Sequence, residues 1–322
     1  MKYRLVCLAL GLLASPAWAE NGMEALQWLH RISMSAQTLN YKGTLVYQSG
    51  SRSEASRVVH VADDEGDMEQ IEMLDGSPRE VVRVGDEVRT WLPETRRLVV
   101  ERRVPRPHFP LLLSTGLGEL MDYYSIRRVA PDRVAGFETQ PVVIEPRDSY
   151  RFRRQLWIDR KTGLLLKSET YSENGQLRES STFTELHVGG VGDRNAIKAR
   201  FGRNEAGWHL QDVRSNSSAE DQSQWKFRTV LPGFRRVAHM TRKTQPNLPE
   251  GAQLVFTDGL AAISVFVDPQ ANDAPQPAVG QFTAGALNVY KRMLGRNLVV
   301  LIGDVPASAL KKFGDGIEAG KP

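Results

Sequence analysis

The hydrophobic pattern of the chain changes near residue 40. From Met23 to Leu39, leucine, isoleucine and alanine recur at steps of three and four residues, which predicts an amphipathic helix with one apolar stripe. From Tyr41 onward, apolar and polar residues alternate with a period of two, which predicts β-strands. The pattern therefore indicates one helix that precedes a long series of strands.

Turn signals divide the region from Tyr41 to about Val104 into short neighbouring strands. Gly85-Asp86 separates two alternating segments and predicts a two-residue hairpin loop. Such spacing predicts an antiparallel meander, in which strands adjacent in sequence are adjacent in space. The alternation further predicts that only one face of this sheet is covered.

A proline-containing insertion interrupts the predicted sheet after Val104. It carries Leu111-Leu112-Leu113 and predicts a short helix from about Thr115, which could lie across the mouth of a curved sheet. Strands resume near Tyr123 and continue to Val188, with Asn174-Gly175 as the strongest hairpin signal.

A polar, weakly periodic stretch separates this region from a second, smaller unit. The second unit starts at Trp225 and ends in a predicted helix from Pro306 to Phe313, and we expect the tail from Asp315 to be frayed. The predicted organisation is a signal peptide at 1–19, a first domain at 20–192, a linker at 193–223 and a C-terminal domain at 224–322.

The first nineteen residues have the three parts of a secretory signal peptide. Lys2 and Arg4 precede an apolar run from Leu5 to Leu13, and Ala17-Trp18-Ala19 forms a small-x-small cleavage site. The alternative, a retained N-terminal anchor, is disfavoured because no stop-transfer pattern follows. Cleavage after Ala19 would remove the chain's one cysteine, Cys7, and predicts that the mature protein is exported.

The basic residues are mostly arginine. The chain has 31 arginines and 11 lysines, and eight of the arginines lie between Arg79 and Arg106. Arginine binds carboxylate and phosphate groups in a bidentate manner, which lysine does not. The cluster is typical of the solvated face of a sheet. Its functional alternative is a site for phosphorylated lipid or for an acidic protein segment.

The sequence lacks the usual catalytic and cofactor motifs. It contains no P-loop, no dinucleotide-binding glycine motif, no nucleophile elbow and no histidine pair with zinc-ligand spacing. We therefore predict a protein that is not an enzyme, with no cofactor, no metal and no nucleic-acid partner. A pair of carboxylates that meet in space, as in a glycosidase, stays open at this stage.

Three blocks of the mature sequence stand out by their order and spacing. They are Met73–Glu87; then Gln155–Asp159 with Thr162–Lys167 and Asn174-Gly175; and finally Leu231–Phe234 with Phe256–Val267. Together, behind a signal peptide, they resemble the RseB/MucB family of periplasmic negative regulators of the envelope-stress sigma factor (sigma-E, AlgU).

The resemblance implies a fold and a partner. The implied fold is α+β: an N-terminal curved antiparallel half-barrel like LolA and LolB, with covering helices, and a smaller C-terminal α+β domain. Members of the family bind the periplasmic domain of a transmembrane anti-sigma factor (RseA or MucA) and shield it from the site-1 protease. The resemblance further implies that lipopolysaccharide or another lipid releases the complex.

Candidate lipid-binding residues are chosen by their pattern in the predicted sheet. Apolar positions expected to face inward would hold acyl chains, with two leucines as a lid and nearby arginines for phosphate. The alternative is that the apolar members simply form the core of the sheet. The candidates are Leu45, Tyr47, Arg79, Val82, Arg83, Arg89, Trp91, Val99, Leu112, Leu113, Trp157 and Leu165.

Candidate residues for binding the anti-sigma factor lie in the small domain. By family resemblance they are Arg235, Arg236, Arg242 and Phe256. The main rival interpretation is a periplasmic lipid or lipoprotein carrier of the LolA type without a regulatory partner. The second domain argues against it, because simple carriers stop near the end of the sheet. The sequence leaves homo-oligomer formation open.

Overall fold

The structure is a computed structural model, which describes residues 17–102, 117–190, 192–213, 225–242, 248–271 and 275–320. The predicted lid residues Leu112 and Leu113, and most of the predicted signal peptide, lie outside these ranges. The helices are α1 Ala17–Thr38, α2 Leu120–Tyr123, α3 Arg194–Phe201 and α4 Ala307–Asp315. Among the described residues, no helix combines the length and the apolar character needed to cross a membrane.

The larger sheet holds most of the strands. Its strands within the described residues are β1 Tyr41–Ser49, β2 Arg52–Asp63, β3 Gly66–Met73, β4 Glu80–Val84, β5 Glu87–Leu92, β6 Arg97–Arg102, β7 Tyr124–Arg128, β8 Asp132–Val134, β9 Phe137–Pro146, β10 Arg153–Asp159, β11 Leu165–Tyr171, β12 Leu177–Val188 and β13 His209–Val213. Their order is β13-β6-β5-β4-β3-β2-β1-β12-β11-β10-β9-β7, with β8 beside β9. The predicted meander is thus present from β1 to β6.

The smaller part of the molecule contains a second sheet, a two-stranded ribbon and α4. Its strands are β14 Trp225–Phe227, β15 Arg235–Arg242, β16 Gly251–Thr257, β17 Ala262–Pro269, β18 Gly280–Ala284, β19 Leu287–Leu294, β20 Asn297–Gly303 and β21 Ile317–Ala319. The second sheet runs β15-β16-β17-β20-β19-β18, and β14 pairs with β21. The predicted α+β class, with a large curved sheet and a smaller C-terminal unit, is confirmed.

The large sheet is covered on both faces, so the expectation of one covered face was wrong. Val58 and Val61 point to opposite faces of β2, yet both are buried. One face of β3 to β6 packs against α3 through Ile197, and the strands beyond β12 pack against α1 through Leu29 and Ile32. Alternation along a strand shows which residues share a face of the sheet. It does not show whether a short helix that comes later in the chain covers that face.

Two segments predicted to be irregular contain regular elements in their described residues. Residues 193–223, predicted as a linker, contain α3 and β13. Asp193 caps α3 by accepting hydrogen bonds from the amides of Asn195 and Ala196, and β13 lies parallel to β6. The tail beyond Asp315 forms β21 instead of fraying, because Ile317 is buried and pairs with Phe227. All three elements are too short to show a clear period in the sequence.

Candidate functional site

The junction between the two sheets contains a network of buried polar side chains. The turn between β16 and β17 projects from the small sheet toward the large one. Its tip residue, Leu260, is fully buried in the cluster formed by α1 and the large sheet, in which Leu29 and Leu156 also lie. A residue of the second sheet thus completes the core of the first.

Asp258 organises this turn and joins it to the large sheet. Its Oδ1 accepts hydrogen bonds from the amides of Leu260 (2.9 Å) and Ala261 (2.8 Å). Its Oδ2 accepts one from the hydroxyl of Tyr124 and one from Nε of Arg151, both at 2.7 Å. Because four donors engage this buried carboxylate, it is positioned to hold the junction together and is not placed as a catalytic base.

Arg151 donates hydrogen bonds to the junction from the side of the large sheet. Besides Asp258, its guanidinium donates to the carboxylate of Asp148 and to the carbonyl oxygen of Pro232. The group also lies 4.8 Å from the ring centre of Tyr123 and 5.3 Å from that of Phe234. A single buried side chain therefore contacts both the β16–β17 turn and the segment that leads into β15.

Burial and neighbouring charges shift the pKa values of two residues at the junction. Burial raises the pKa of Tyr124 well above its usual value, and the Asp258 carboxylate raises it further. Burial alone would lower the pKa of Arg151, but the neighbouring Asp258 outweighs that effect and the pKa is raised. Tyr124 is therefore a neutral donor, and Arg151 carries its charge at every physiological pH.

The Leu231–Phe234 segment approaches the large sheet closely. Gly233 has a φ of +76°, and a Cβ added there would lie 2.5 Å from the ring of Tyr123. Glycine is thus required for both backbone conformation and space. This explains why a Pro-Gly-Phe turn occurs at this point in the chain.

A second ion pair supports the junction beside the first. The guanidinium of Arg154, on β10, pairs with the carboxylate of Asp304, which follows β20. Oδ1 of Asp304 also accepts the amide of Ala262 at 2.7 Å. Burial raises the pKa of Asp304, with Arg154 and the Ala262 amide opposing the shift. Arg151 and Arg154 of the large domain thus pair with two carboxylates of the small domain, those of Asp258 and Asp304.

The predicted lipid-binding residues do not form one group. Register places Leu45, Tyr47, Arg83 and Val99 on the face of the sheet opposite to Val82, Arg89 and Trp91. In β10, Trp157 points away from the face that carries Leu156 and Ile158, whereas Leu165 pairs with Ile158 and lies in the α1 cluster. The period-two alternation was predicted correctly within each strand. The candidates, however, were taken from one face of the sheet in some strands and from the opposite face in others.

Val82 and Trp91 belong to the core beneath α3. Both are fully buried, together with Ile197 of α3. The guanidinium of Arg203 lies 3.9 Å from the ring centre of Trp91 and bonds to Glu80 at 2.5 Å. Val82 and Trp91 therefore have the surroundings of core residues, which was the alternative interpretation for the apolar candidates.

The three arginines among the lipid-binding candidates have different surroundings. Arg83 is buried and bonds to Asp67 at 2.5 Å, and Arg89 bonds to Glu87 (2.8 Å) and Glu205 (2.7 Å). Arg79 is exposed and has its guanidinium 3.5 Å from the sulfur of Met73. It lines a cleft of about 550 Å³ with Arg52, Met73, Leu92, Glu94 and Arg97.

Register links this cleft to part of the lipid-binding set. Met73 pairs with Ser56, and Ser56 pairs with Leu45, so that the three side chains form one row across β3, β2 and β1. The hydroxyl of Ser56 lies 3.2 Å from the sulfur of Met73. The structure therefore brings Arg79 to the end of a row that contains Leu45.

The candidate residues for the anti-sigma factor lie on two neighbouring strands. Nη1 of Arg235 bonds to Glu119 at 3.1 Å, which ties β15 to the segment before α2, and Arg236 is exposed. The side chain of Arg242 lies outside the described residues. Phe256 is buried with Phe227 and Phe313, at centroid distances of 4.9 and 5.0 Å, so it supports the core of the small domain.

The junction residues escaped the sequence-based selection. Asp258 and Leu260 lie within the Phe256–Val267 block that carried the family resemblance, and Pro232 and Gly233 lie in the other part of the same block. Arg151 stood among clustered arginines that gave no sign of burial. The available signal was the turn composition: an Asp-Gly pair between β16 and β17 and a Pro-Gly pair before β15.

The fold and the junction define a two-domain protein of the α+β class. Models of two domains match the chain: the MucB/RseB N-terminal domain over residues 24–201 and the MucB/RseB C-terminal domain over residues 219–318. The chain belongs to the MucB/RseB family, a family of regulatory binding proteins rather than enzymes.

Curated relatives match the chain over almost its full length. The sigma factor AlgU regulatory protein MucB of Pseudomonas aeruginosa is 28% identical over 97% of this chain and 96% of its own. The sigma-E factor regulatory protein RseB of Haemophilus influenzae is 23% identical, with 96% of each chain covered.

Solved structures confirm the fold. A complex of Pseudomonas aeruginosa MucA and MucB contains a chain that is 24% identical and superposes with a TM-score of 0.71, over 93% of this chain and 100% of that one. A crystal structure of MucB in complex with MucA(peri) gives 25% identity and a TM-score of 0.69, over 92% and 100%.

Proposed function

We propose that this protein is a periplasmic negative regulator of an envelope-stress sigma factor. It binds the periplasmic domain of a transmembrane anti-sigma factor of the RseA/MucA type and shields that domain from the site-1 protease. The main support is the match of both MucB/RseB domain models, together with relatives named as regulators of AlgU and sigma-E. The solved MucB complexes with MucA are consistent with such a partner.

The N-terminal segment supports a periplasmic location. Its positive residues, short apolar run and Ala17-Trp18-Ala19 site are those of a secretory signal peptide. The predicted cleavage after Ala19 falls within the first turn of α1, which begins at Ala17. The buried stripe that anchors α1 starts only at Ala25, so maturation would leave that stripe intact.

The anti-sigma factor would contact the small domain beside the junction. Arg235 and Arg236 begin β15, directly after the Leu231–Phe234 segment that Arg151 holds. Arginines at this position suit an acidic partner segment. The buried Phe256 would act indirectly, by supporting the strand next to β15.

A lipid would release the partner by linkage. A ligand that binds better to the free conformer lowers the affinity for the anti-sigma factor by its differential binding energy, for which about 1–3 kcal/mol is common. The proposed lipid site is the cleft at Arg79 with the adjoining row of Met73 and Leu45. Arg79 would bind a phosphate, and the apolar side chains would contact an acyl chain.

A protection assay tests the proposed function. The mature chain is mixed with the periplasmic domain of the anti-sigma factor encoded in the same genome, the site-1 protease is added, and cleavage is followed with and without lipid A. We expect the chain to slow cleavage and lipid A to restore it. Unchanged cleavage, with no capture of the anti-sigma domain, would reject the regulator and favour the lipid carrier. Protection that lipid A does not relieve would reject only the release step.

A further inference from the structure

The outer edge of the small sheet at β18 has the features of a strand-pairing site. β18 is the last strand of this sheet and pairs only with β19 in the described part of the chain. The backbone groups on its other side therefore have no strand partner there. We propose that this edge binds an extended segment of the anti-sigma factor as an additional β-strand, a proposal that rests on the function proposed above.

The opposite edge of the same sheet shows how such a site is normally blocked. β15 has a register shift between Arg236 and Ala238, and Arg235 forms an ion pair with Glu119. Bulges and charges of this kind prevent edge-to-edge pairing. The β18 segment, Gly280-Gln281-Phe282-Thr283-Ala284, has no proline or charged residue, and its pairing with β19 contains no register shift. One edge is therefore protected and the other is open.

Exposed apolar side chains surround the open edge. Val279 is 54% exposed, and Phe282 and Leu287 are each 40% exposed. Large apolar residues grouped at a strand edge favour an added strand whose alternate side chains cover them. Phe282 also pairs with Val289, and Val289 pairs with Ile302, so that an incoming apolar side chain would extend an apolar row over β18, β19 and β20.

The charge near the edge indicates the character of the added strand. Lys291 on β19 lies with its Nζ 5.4 Å from the ring centre of Phe282. A carboxylate on the incoming segment could pair with this ammonium while neighbouring apolar residues cover Phe282. The segment that fits is therefore extended, with alternating apolar residues and an acidic residue near Lys291.

The edge is connected to the large sheet. Nη2 of Arg178, on β12, donates to the carbonyl oxygen of Ala286 at 2.7 Å, and Ala286 lies in the β18–β19 turn. Nε2 of Gln281 donates to the carbonyl oxygen of Ala307 at the start of α4 at 2.8 Å. A strand added to β18 would thus rest on a hairpin that is held on two sides.

Hydrogen exchange and a pair of matched variants test the proposal. The mature full chain is titrated with the periplasmic domain of the anti-sigma factor, and amide exchange is followed in residues 279–285. We expect new protection there on binding. Phe282→Lys should weaken binding by about tenfold or more, since it places a charge in the new apolar contact. Met293→Lys is the control, because Met293 is similarly exposed (39%) but lies beyond the β18 pairing.

The outcomes separate this proposal from the proposed function. If the wild-type chain does not bind the anti-sigma domain, the proposed function fails and the edge proposal fails with it. Binding without new protection at residues 279–285, or equal loss in the two lysine variants, overturns the edge proposal alone. Protection that rises with the concentration of the chain itself, without the anti-sigma domain, would assign the edge to a second copy and also overturn it. Loss of affinity in Lys291→Glu, with folding retained, would support the acidic segment.

Discussion

Nε of Arg151 in the large domain lies 2.7 Å from Oδ2 of Asp258 in the small domain, and both side chains are fully enclosed. An enclosed charge pair of this kind stabilises only when its remaining hydrogen-bonding groups are also satisfied. Tyr124, Asp148, Pro232 and two backbone amides fulfil that condition here. This buried network therefore helps to fix the relative position of the two domains.

Removal of one partner of this pair should be costly. Arg151→Ala leaves the Asp258 carboxylate buried without its cation, and we expect a loss of about 3–5 kcal/mol in the free energy of unfolding. Urea denaturation of the mature chain measures it. Arg57→Ala is the matched control, since the Arg57–Glu72 pair is exposed on both sides and should contribute at most about 1 kcal/mol. Equal small losses in both variants would show that the enclosed pair does not stabilise the junction.

Stability should fall in acid through Asp67. The pKa of Asp67 is held well below its usual range by His60, whose Nε2 lies 3.5 Å from Oδ2 of Asp67, and by a hydrogen bond from Arg83. Because the folded pKa is below the unfolded pKa of about 4, the contribution is complete above that pH and is lost as the pH falls toward the folded pKa. Asp67→Asn should therefore lose less stability than the wild type between pH 4 and pH 2 in urea denaturation. Parallel losses in the two proteins would contradict this assignment.

Local periodicity was enough to predict the helix at residues 23–39, the meander and the strand-rich small domain. It failed where structure depends on contacts that are distant in sequence. α3 buries mainly Ile197, and β21 exists because it pairs with β14, some ninety residues earlier. Short elements of this kind are stabilised by tertiary contacts, and their own sequence period is weak.

The candidate site residues show the same difference between what local periodicity predicts and what depends on tertiary contacts. Period-two alternation identifies which residues share a face within one strand, but the face itself depends on how each strand is paired. Val82 and Arg83 are neighbours on β4, yet one lies under α3 and the other bonds to Asp67. Arg151 could not be singled out from the sequence, because its burial results from the packing of a second domain against it.

Trp91 and Arg79 should differ in their effects on lipid binding. Trp91→Ala removes a fully buried ring beneath α3, so we expect a loss of about 3–5 kcal/mol in stability, with lipid A affinity unchanged in the folded protein. Arg79→Ala should leave stability nearly unchanged and reduce lipid A affinity by about tenfold or more, since it removes an exposed guanidinium beside the cleft. Equilibrium binding and thermal unfolding measure the two quantities. Reduced lipid affinity in folded Trp91→Ala would move the lipid site to the α3 face.

Gly233 should be intolerant of a side chain because of the space around it. Gly233→Ala places a methyl group against the ring of Tyr123. Gly175 has nearly the same φ, +79°, but open space around it, so Gly175→Ala measures the backbone cost alone. We expect Gly233→Ala to be the more destabilising of the two by more than about 1 kcal/mol in urea denaturation. Similar losses would mean that φ alone, and no close approach to Tyr123, requires glycine at the junction.

Leu260 should couple the unfolding of the two domains. Leu260→Ala opens a cavity in the core of the large domain although the residue belongs to the small one, and a loss of about 2–5 kcal/mol is expected. Leu254→Ala makes the same chemical change at an equally buried site within the core of the small domain. Calorimetry should show the transitions of the two domains separating in Leu260→Ala but not in Leu254→Ala, since Leu260, unlike Leu254, packs across the junction. If both variants unfold with the same profile, then the ion pairs of Arg151 and Arg154 are sufficient to couple the domains without it.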